Sequence, residues 1–134
     1  LEGNNPVEKG EKSSSSARDS TVGETSERVK SKQCNILGRE FVIELLLLSN
    51  GCFVSISESP KPRMGAITLT VRSERSASSS TLIPDRRGSI FAGMVGEMLA
   101  ERTKGIAVTS MYLREELESD SMKTLLNEVR KLAE

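Results

Sequence analysis

The residues able to do chemistry are few, and the most useful one is missing. No histidine occurs among the 134 residues. That removes the commonest general base, every Ser-His-Asp or Cys-His nucleophile, and every His-containing metal site. Cys34 and Cys52 are too few for a disulfide scaffold and wrongly spaced for a metal knuckle, so both read as reduced thiols of an intracellular protein. Glu97 and Glu101 stand four apart, where carboxylates on one helix face could share a metal or a proton; with no histidine beside them they read as a solvated face. Glu115, Glu116, Glu118 and Asp120 form an acidic run without the alternating ligands and central glycine of a calcium loop, and read as a structural loop favoured by the following helix dipole. Arg86-Arg87-Gly88-Ser89 precedes a helix and is the best anion-binding candidate, because backbone N–H groups and two guanidiniums converge there. It lacks the spacing of a phosphate loop and reads as a surface turn or protein-contact loop. Tyr112 and the many serines have no base to activate them. The residues name no catalytic group, no metal site and no cofactor, and the expectation is a protein that is not an enzyme.

Bulk properties narrow the partners. Lys+Arg and Asp+Glu are each 19, which argues against a strongly basic nucleic-acid binder and against a polyacidic tail. No apolar run approaches the ~18 residues of a membrane-spanning helix; the longest block is Leu45-Leu46-Leu47-Leu48. The first residues, opening on Leu1, show no signal-peptide pattern. Neither nucleic acid nor membrane is expected as a partner.

The elements that must position any site begin after a change in composition. Residues 1–32 hold only Leu1, Val7, Ala17, Val22 and Val29 as apolar residues, around Ser13-Ser14-Ser15-Ser16 and charges of both signs, and are expected to be disordered. Residues 33–134 have the composition of a single domain. Phe41–Ser49 and Cys52–Glu58 flank Asn50-Gly51, a hairpin signal in which both turn residues take positive φ. A two-residue loop there pairs Ser49 with Cys52, Leu48 with Phe53 and Leu47 with Val54. Phe41, Ile43, Leu45, Leu47, Cys52, Val54 and Ile56 then form a core face. Leu46, Leu48 and Phe53 form an apolar patch on the outer face, the expected partner-binding cluster together with Arg86 and Arg87. A third strand at residues 65–73 is expected to turn Ile67, Leu69 and Val71 inward and Thr68, Thr70 and Arg72 out. A short strand at residues 80–83 follows, then a helix over about residues 90–103 with Phe91, Met94, Val95, Met98 and Leu99 as its stripe. Its other flank is small (Ala92, Gly93, Gly96, Ala100), and Gly105 is its expected stop. A strand at residues 106–113 precedes a last helix over about residues 121–132, capped by Asp120 or Ser121, with Met122, Leu125, Leu126, Val129 and Leu132 on one stripe. The order is β-β-β-β-α-β-α, an α+β domain with a mainly antiparallel sheet packed with two helices.

From Phe41 to Glu134 the chain resembles the proteasome assembly chaperone 3/4 family, the branch of the fourth member more than the third. The resemblance rests on the hairpin Phe41–Ile56, on the small-residue strand Met64-Gly65-Ala66-Ile67-Thr68-Leu69-Thr70-Val71, and above all on Met98-Leu99-Ala100-Glu101-Arg102-Thr103-Lys104-Gly105 running into Ile106-Ala107-Val108-Thr109-Ser110-Met111-Tyr112-Leu113. It implies a non-enzymatic chaperone of cytoplasm and nucleus that forms a heterodimer with a related subunit. Such a pair would bind proteasome α-type subunits and help the 20S proteasome α-ring assemble. A small longin-, roadblock- or profilin-like adaptor of trafficking or signalling scaffolds would share the strand-rich pattern, and a ligand-binding module using the Arg86-Arg87 loop is a third reading.

Overall fold

The computed structural model describes residues 28–134. Its elements run β1 (Val29–Ile36), β2 (Arg39–Leu48), β3 (Gly51–Ser57), β4 (Ala66–Arg72), β5 (Ala77–Ile83), α1 (Ser89–Thr103), β6 (Ile106–Tyr112) and α2 (Ser119–Ala133). One six-stranded sheet is ordered β1-β2-β3-β6-β4-β5. β6 runs parallel to β3 and antiparallel to β4, and the remaining pairs are antiparallel. The domain is α+β, with one strand more than the sequence pattern suggested.

Both helices lie on the same face of the sheet. α1 packs over β4, β6 and β5, and α2 over β1 and β2. Beneath them are buried Phe41, Ile43 and Leu45 of β2, Cys52, Val54 and Ile56 of β3, and Ala107 and Met111 of β6. These meet Phe91, Val95 and Leu99 of α1 and Leu125 and Val129 of α2. Strand alternation puts every second residue here, and the 3.6-residue period brings one stripe of each helix down onto it.

Four expectations need correction. β1 starts at Val29, so residues 29–32 are strand rather than tail; residues 1–27 lie outside the described residues. The strand was missed because Lys30 and Lys32 interrupt it. Lys32 reaches Glu128 of α2, an ion pair that raises the lysine pKa and lowers that of the carboxyl. The turn into β2 uses Leu37 and Gly38 at φ 53 and 82, with Asn35 Oδ1 accepting the Gly38 N–H at 3.0 Å.

The β2–β3 register differs by two residues. Leu48 pairs with Gly51, Leu47 with Cys52 and Leu46 with Phe53. Neither Asn50 nor Gly51 has positive φ. Gly51 is required for a different reason: a β-carbon there would run into the Ile106 carbonyl as β6 begins, and one on Gly105 would run into that of Asn50. The Ile106 N–H donates to Asn50 O at 3.0 Å across the same crossing. A shift of two preserves the faces, so the core set stands.

β4 is turned over. Thr68 and Thr70 are buried beneath α1, and Leu69 and Val71 are on the opposite face. The small flank of α1 explains the reversal. Ala92, Gly96 and Ala100 are all buried, and a β-carbon on Gly96 would lie within contact distance of the Thr70 and Thr109 hydroxyls. A helix seated this low leaves room for threonine but not for leucine. Phe91, Val95 and Leu99 remain core residues, while Met94 is exposed.

The helix ends also shift. α1 closes on Lys104 at φ 56 in the left-handed region, not on Gly105, and α2 starts after Glu118 without a side-chain cap.

One polar cluster ties the open end of the sheet to the loop before α2. The Glu58 carboxylate accepts from Arg39 Nη2 at 2.6 Å, Arg39 Nε at 2.8 Å and the Arg114 N–H at 2.9 Å. Arg39 also donates to the carbonyls of Glu115 and Glu116. The Arg39 hydrogen bonds hold the Glu58 carboxyl below the ordinary carboxylate range against the opposing effect of burial.

Three outcomes follow for folding. Gly96→Ala is expected to destabilise by roughly 1–3 kcal/mol through overpacking, while Gly93→Ala, where the added carbon meets open space, gains up to ~1 kcal/mol of helix propensity; paired thermal melts check both. Deleting residues 1–32 removes half of β1 and the Lys32–Glu128 pair, so the melting temperature should drop by several degrees. Because the folded pKa of Glu58 is depressed, its contribution is present above the unfolded value of about 4.3 and is lost as pH falls through the folded one. Glu58→Gln should therefore lower stability near neutrality by about 1–3 kcal/mol and flatten the acid slope of the melting temperature.

Candidate protein-interaction surface

With both helices on one side, no element among the described residues covers the centre of the other face of the sheet. The registers set Val29 (β1), Leu46 (β2), Phe53 (β3), Val108 (β6) and Leu69 (β4) side by side in one row, ending at Ser80 (β5). The next row toward the β2–β3 turn reads Leu48, Gly51, Ile106, Val71, Ser78. On the other side Ser31, Glu44, Ser55 and Ser110 lead to Ile67 and Ile83. One apolar row thus crosses five strands and a second lies beside it on β2, β6 and β4, a band with Ser31, Glu44, Ser55 and Ser110 as its polar border over β1, β2, β3 and β6. Phe53, at its middle, is 50% exposed, and Val29, Leu48, Val71 and Ile106 are exposed with it.

The band is dished. A depression of about 560 Å³ is lined by Val29, Leu46, Phe53, Met64, Ile67 and Val108 among others. Its wall is the β3–β4 connection, which must cross β6 because that strand lies between β3 and β4. The Gly65 N–H donates to Ser110 Oγ at 3.2 Å and the Arg63 N–H to Ser57 Oγ at 3.0 Å, fastening the crossing. The Arg63 guanidinium sits 4.9 Å from the Tyr112 ring centroid. Gly65 passes so close to the Met111 carbonyl that no side chain fits there.

Of the residues singled out in the sequence, Leu46 and Phe53 are direct cross-strand partners, and Leu48 stands one row away opposite Gly51 rather than opposite Phe53. Arg86 and Arg87 lie elsewhere, at the start of α1, beside Ile90, Glu116, Leu117 and Met122. The Arg87 guanidinium folds back on Asp85, with Nε 3.3 Å from Oδ1, and also reaches the Arg114 carbonyl. The Asp85 carboxyl also accepts the Arg87 N–H at 2.9 Å, and these bonds lower its pKa. An acidic side chain of the chain itself therefore occupies the place where an anion would bind.

Val29, Leu69, Val71, Ile106 and Val108 belong to the band and were not read from the sequence. Leu69 and Val71 were assigned inward because they are the apolar members of their strand. The signal that would have placed them outward is the small flank of α1, which calls for small or hydroxyl-bearing residues beneath it.

The remaining chemical candidates are separated by the fold. The Glu101 carboxylate accepts two bonds from Arg72, at 3.0 and 3.2 Å, while Glu97 faces Ser79 Oγ at 3.4 Å, so the two carboxylates point to different partners. Burial pushes the Cys52 thiol up to about 11 and raises that of Cys34, the opposite of what a nucleophile requires. Among the described residues no group of three His, Cys, Asp or Glu side chains is placed to hold a metal ion, and no helix is long and apolar enough to cross a membrane.

No family model and no curated protein matches the sequence. A match exists at the level of structure. The fold is similar to that of a chain in the crystal structure of a chaperone complex for yeast 20S proteasome assembly, with a TM-score of 0.50 and 13% identity, over 79% of this chain and 91% of that one.

Proposed function

We propose that this chain is a non-enzymatic assembly chaperone of the proteasome assembly chaperone 3/4 type, working in cytoplasm and nucleus. It pairs with a related subunit to form a heterodimer, and the pair engages α-type subunits while the 20S proteasome α-ring assembles. The observation that carries this reading is the apolar band of the sheet, which the described residues leave open. The whole sheet face around it, six strands about 4.8 Å apart and some seven residues long, presents roughly 650 Å². That is close to the ~800 Å² each partner contributes to an ordinary stable interface. A contiguous apolar band at the centre of such a face is the signature of a surface that another protein covers. The rest fits with it: the Glu97 and Glu101 carboxylates face different partners, burial raises the pKa of both thiols, and Arg87 faces its own aspartate. The fold likeness supplies the biological setting, since the similar chain belongs to a complex for 20S proteasome assembly.

The test is co-expression with candidate partner chaperones, followed by capture of α-type subunits. Phe53→Ser is expected to leave the circular-dichroism melt of the chain unchanged and to weaken pairing by about thirtyfold, the effect of losing an aromatic anchor worth ~2 kcal/mol. Recovery of the pair without any α-type subunit would overturn the proteasome assignment, and undiminished pairing of the folded variant would overturn the role of the band.

A further inference from the structure

Arg86-Arg87-Gly88-Ser89-Ile90 carries side chains that the fold itself does not need. Arg86 is exposed and has no ion-pair partner among the described residues. Ile90 is 80% exposed, more than any other large apolar side chain described. Arg87 pairs with Asp85, but its side chain is largely in solvent, and a surface pair of this kind is held weakly. The spacing gives these groups one meaning together. Two guanidiniums stand three and two residues before a serine hydroxyl, and an apolar side chain follows it. No other serine or threonine of the 134 residues has arginine at both positions; Thr21, Ser31 and Ser78 have it three before and not two before.

That arrangement is the one an arginine-directed serine/threonine kinase reads. Acidic groups of such a kinase take the two guanidiniums in charge-assisted bonds, and an apolar pocket takes the residue after the acceptor. A kinase holds its substrate extended, so residues 86–90 must leave the turn and the first two positions of α1. Little opposes this. The cap of α1 is Gly88, which has no side chain to hold the helix end. The Gly88 and Ser89 N–H groups donate to the Asp85 carbonyl at 3.0 and 2.9 Å, and the Ala92 N–H to that of Gly88 at 2.8 Å. Ser89 Oγ accepts the Asp85 N–H at 2.8 Å. Those are the bonds to be released. The first buried side chain, Phe91, lies beyond the segment, so opening the helix end up to it exposes little apolar surface.

We propose that Ser89 is a phosphorylation site for an arginine-directed kinase, with the phosphate then held by Arg86 at the start of α1. In the transfer, Ser89 Oγ forms a bond to the γ-phosphorus of ATP. The bond from that phosphorus to the β–γ bridging oxygen breaks, ADP leaves, and the hydroxyl proton passes to the kinase's base. The product adds about two negative charges. α1 has no acidic residue in its first turn, so the positive end of its dipole lacks a countercharge there. Arg87 stays with Asp85, whose carboxylate and that of Glu116 are the opposing charges nearby, and Arg86 is the free guanidinium. The site belongs to the helix side of the sheet and is independent of the role proposed for the apolar band.

The experiment treats the folded full chain with magnesium ATP and the catalytic subunit of cAMP-dependent protein kinase, then maps the phosphate by mass spectrometry of peptides. The expected result is one phosphate, on Ser89, which is absent from Ser89→Ala. Because the map is made on the unaltered chain, it locates the phosphate whether or not that variant folds. Arg86→Ala and Ile90→Ser should each lower kcat/KM for the kinase about tenfold while the circular-dichroism melt is unchanged. The phosphorylated chain should melt above the unmodified one, and the gain should shrink in Arg86→Ala driven to full phosphorylation by excess kinase. Phosphate found only on other serines overturns the proposal. So does Ser89 modified in the heat-unfolded chain and not in the folded one. A melt lowered by phosphorylation overturns the holding of the phosphate by Arg86 and α1.

Discussion

Gly96 of α1 rests on the hydroxyls of Thr70 and Thr109, and the helix can lie that low only because no β-carbon intervenes. This contact decides which side of the sheet is the inside. A helix so close to the strands needs small residues on its lower flank, which Ala92, Gly96 and Ala100 supply, and short side chains under it, which Thr68, Thr70, Ala107 and Thr109 supply. The larger apolar residues of β4 and of β6 beside this seat must then take the opposite face, while Met111, further along β6, stays in the core. Leu69, Val71, Ile106 and Val108 are exposed or half-exposed for that reason. The exposed apolar band and the helix seat are two consequences of one packing choice.

That choice has a cost inside the core. Thr68 Oγ1 and Thr109 Oγ1 are buried without a hydrogen-bond partner, whereas Thr70 Oγ1 is satisfied by Ser79 Oγ at 2.8 Å. An unpaired buried hydroxyl costs on the order of 1–3 kcal/mol. An apolar side chain of similar shape would avoid the penalty. The close packing of Phe91, Val95 and Leu99 above the sheet offsets it, together with the second helix on the other half of the same face.

How much of this was legible depends on which periodicity dominated locally. The hairpin faces of β2 and β3 were readable because strict alternation survives a shift of two residues, so the core set came through although Leu48 was paired with the wrong neighbour. Apolar stripes likewise identified both helices. β1 was hidden by its lysines, whose edge position and ion pair to Glu128 are tertiary facts. β4 was read inside out because hydrophobicity was weighed within the strand alone; threonine is inside here on account of a glycine 26 residues further along. Judged by their neighbours alone, Gly51 and Gly105 read as a turn residue and a helix stop. Each is needed where one backbone crosses another, a requirement that leaves no local trace.

The same reasoning separates the two arginine sets that a sequence alone cannot rank. Arg39 is half hidden beside an aromatic ring and spends its donors on Glu58 and two carbonyls, so its work is to hold β2 against the loop before α2. Arg87 is satisfied by Asp85 and the Arg114 carbonyl. Arg86 alone of the three stands exposed without an ion-pair partner among the described residues, next to an edge strand and an exposed Ile90. Guanidinium groups already neutralised inside a fold have little left to offer a partner, so of these three only Arg86 is free to meet an acidic group.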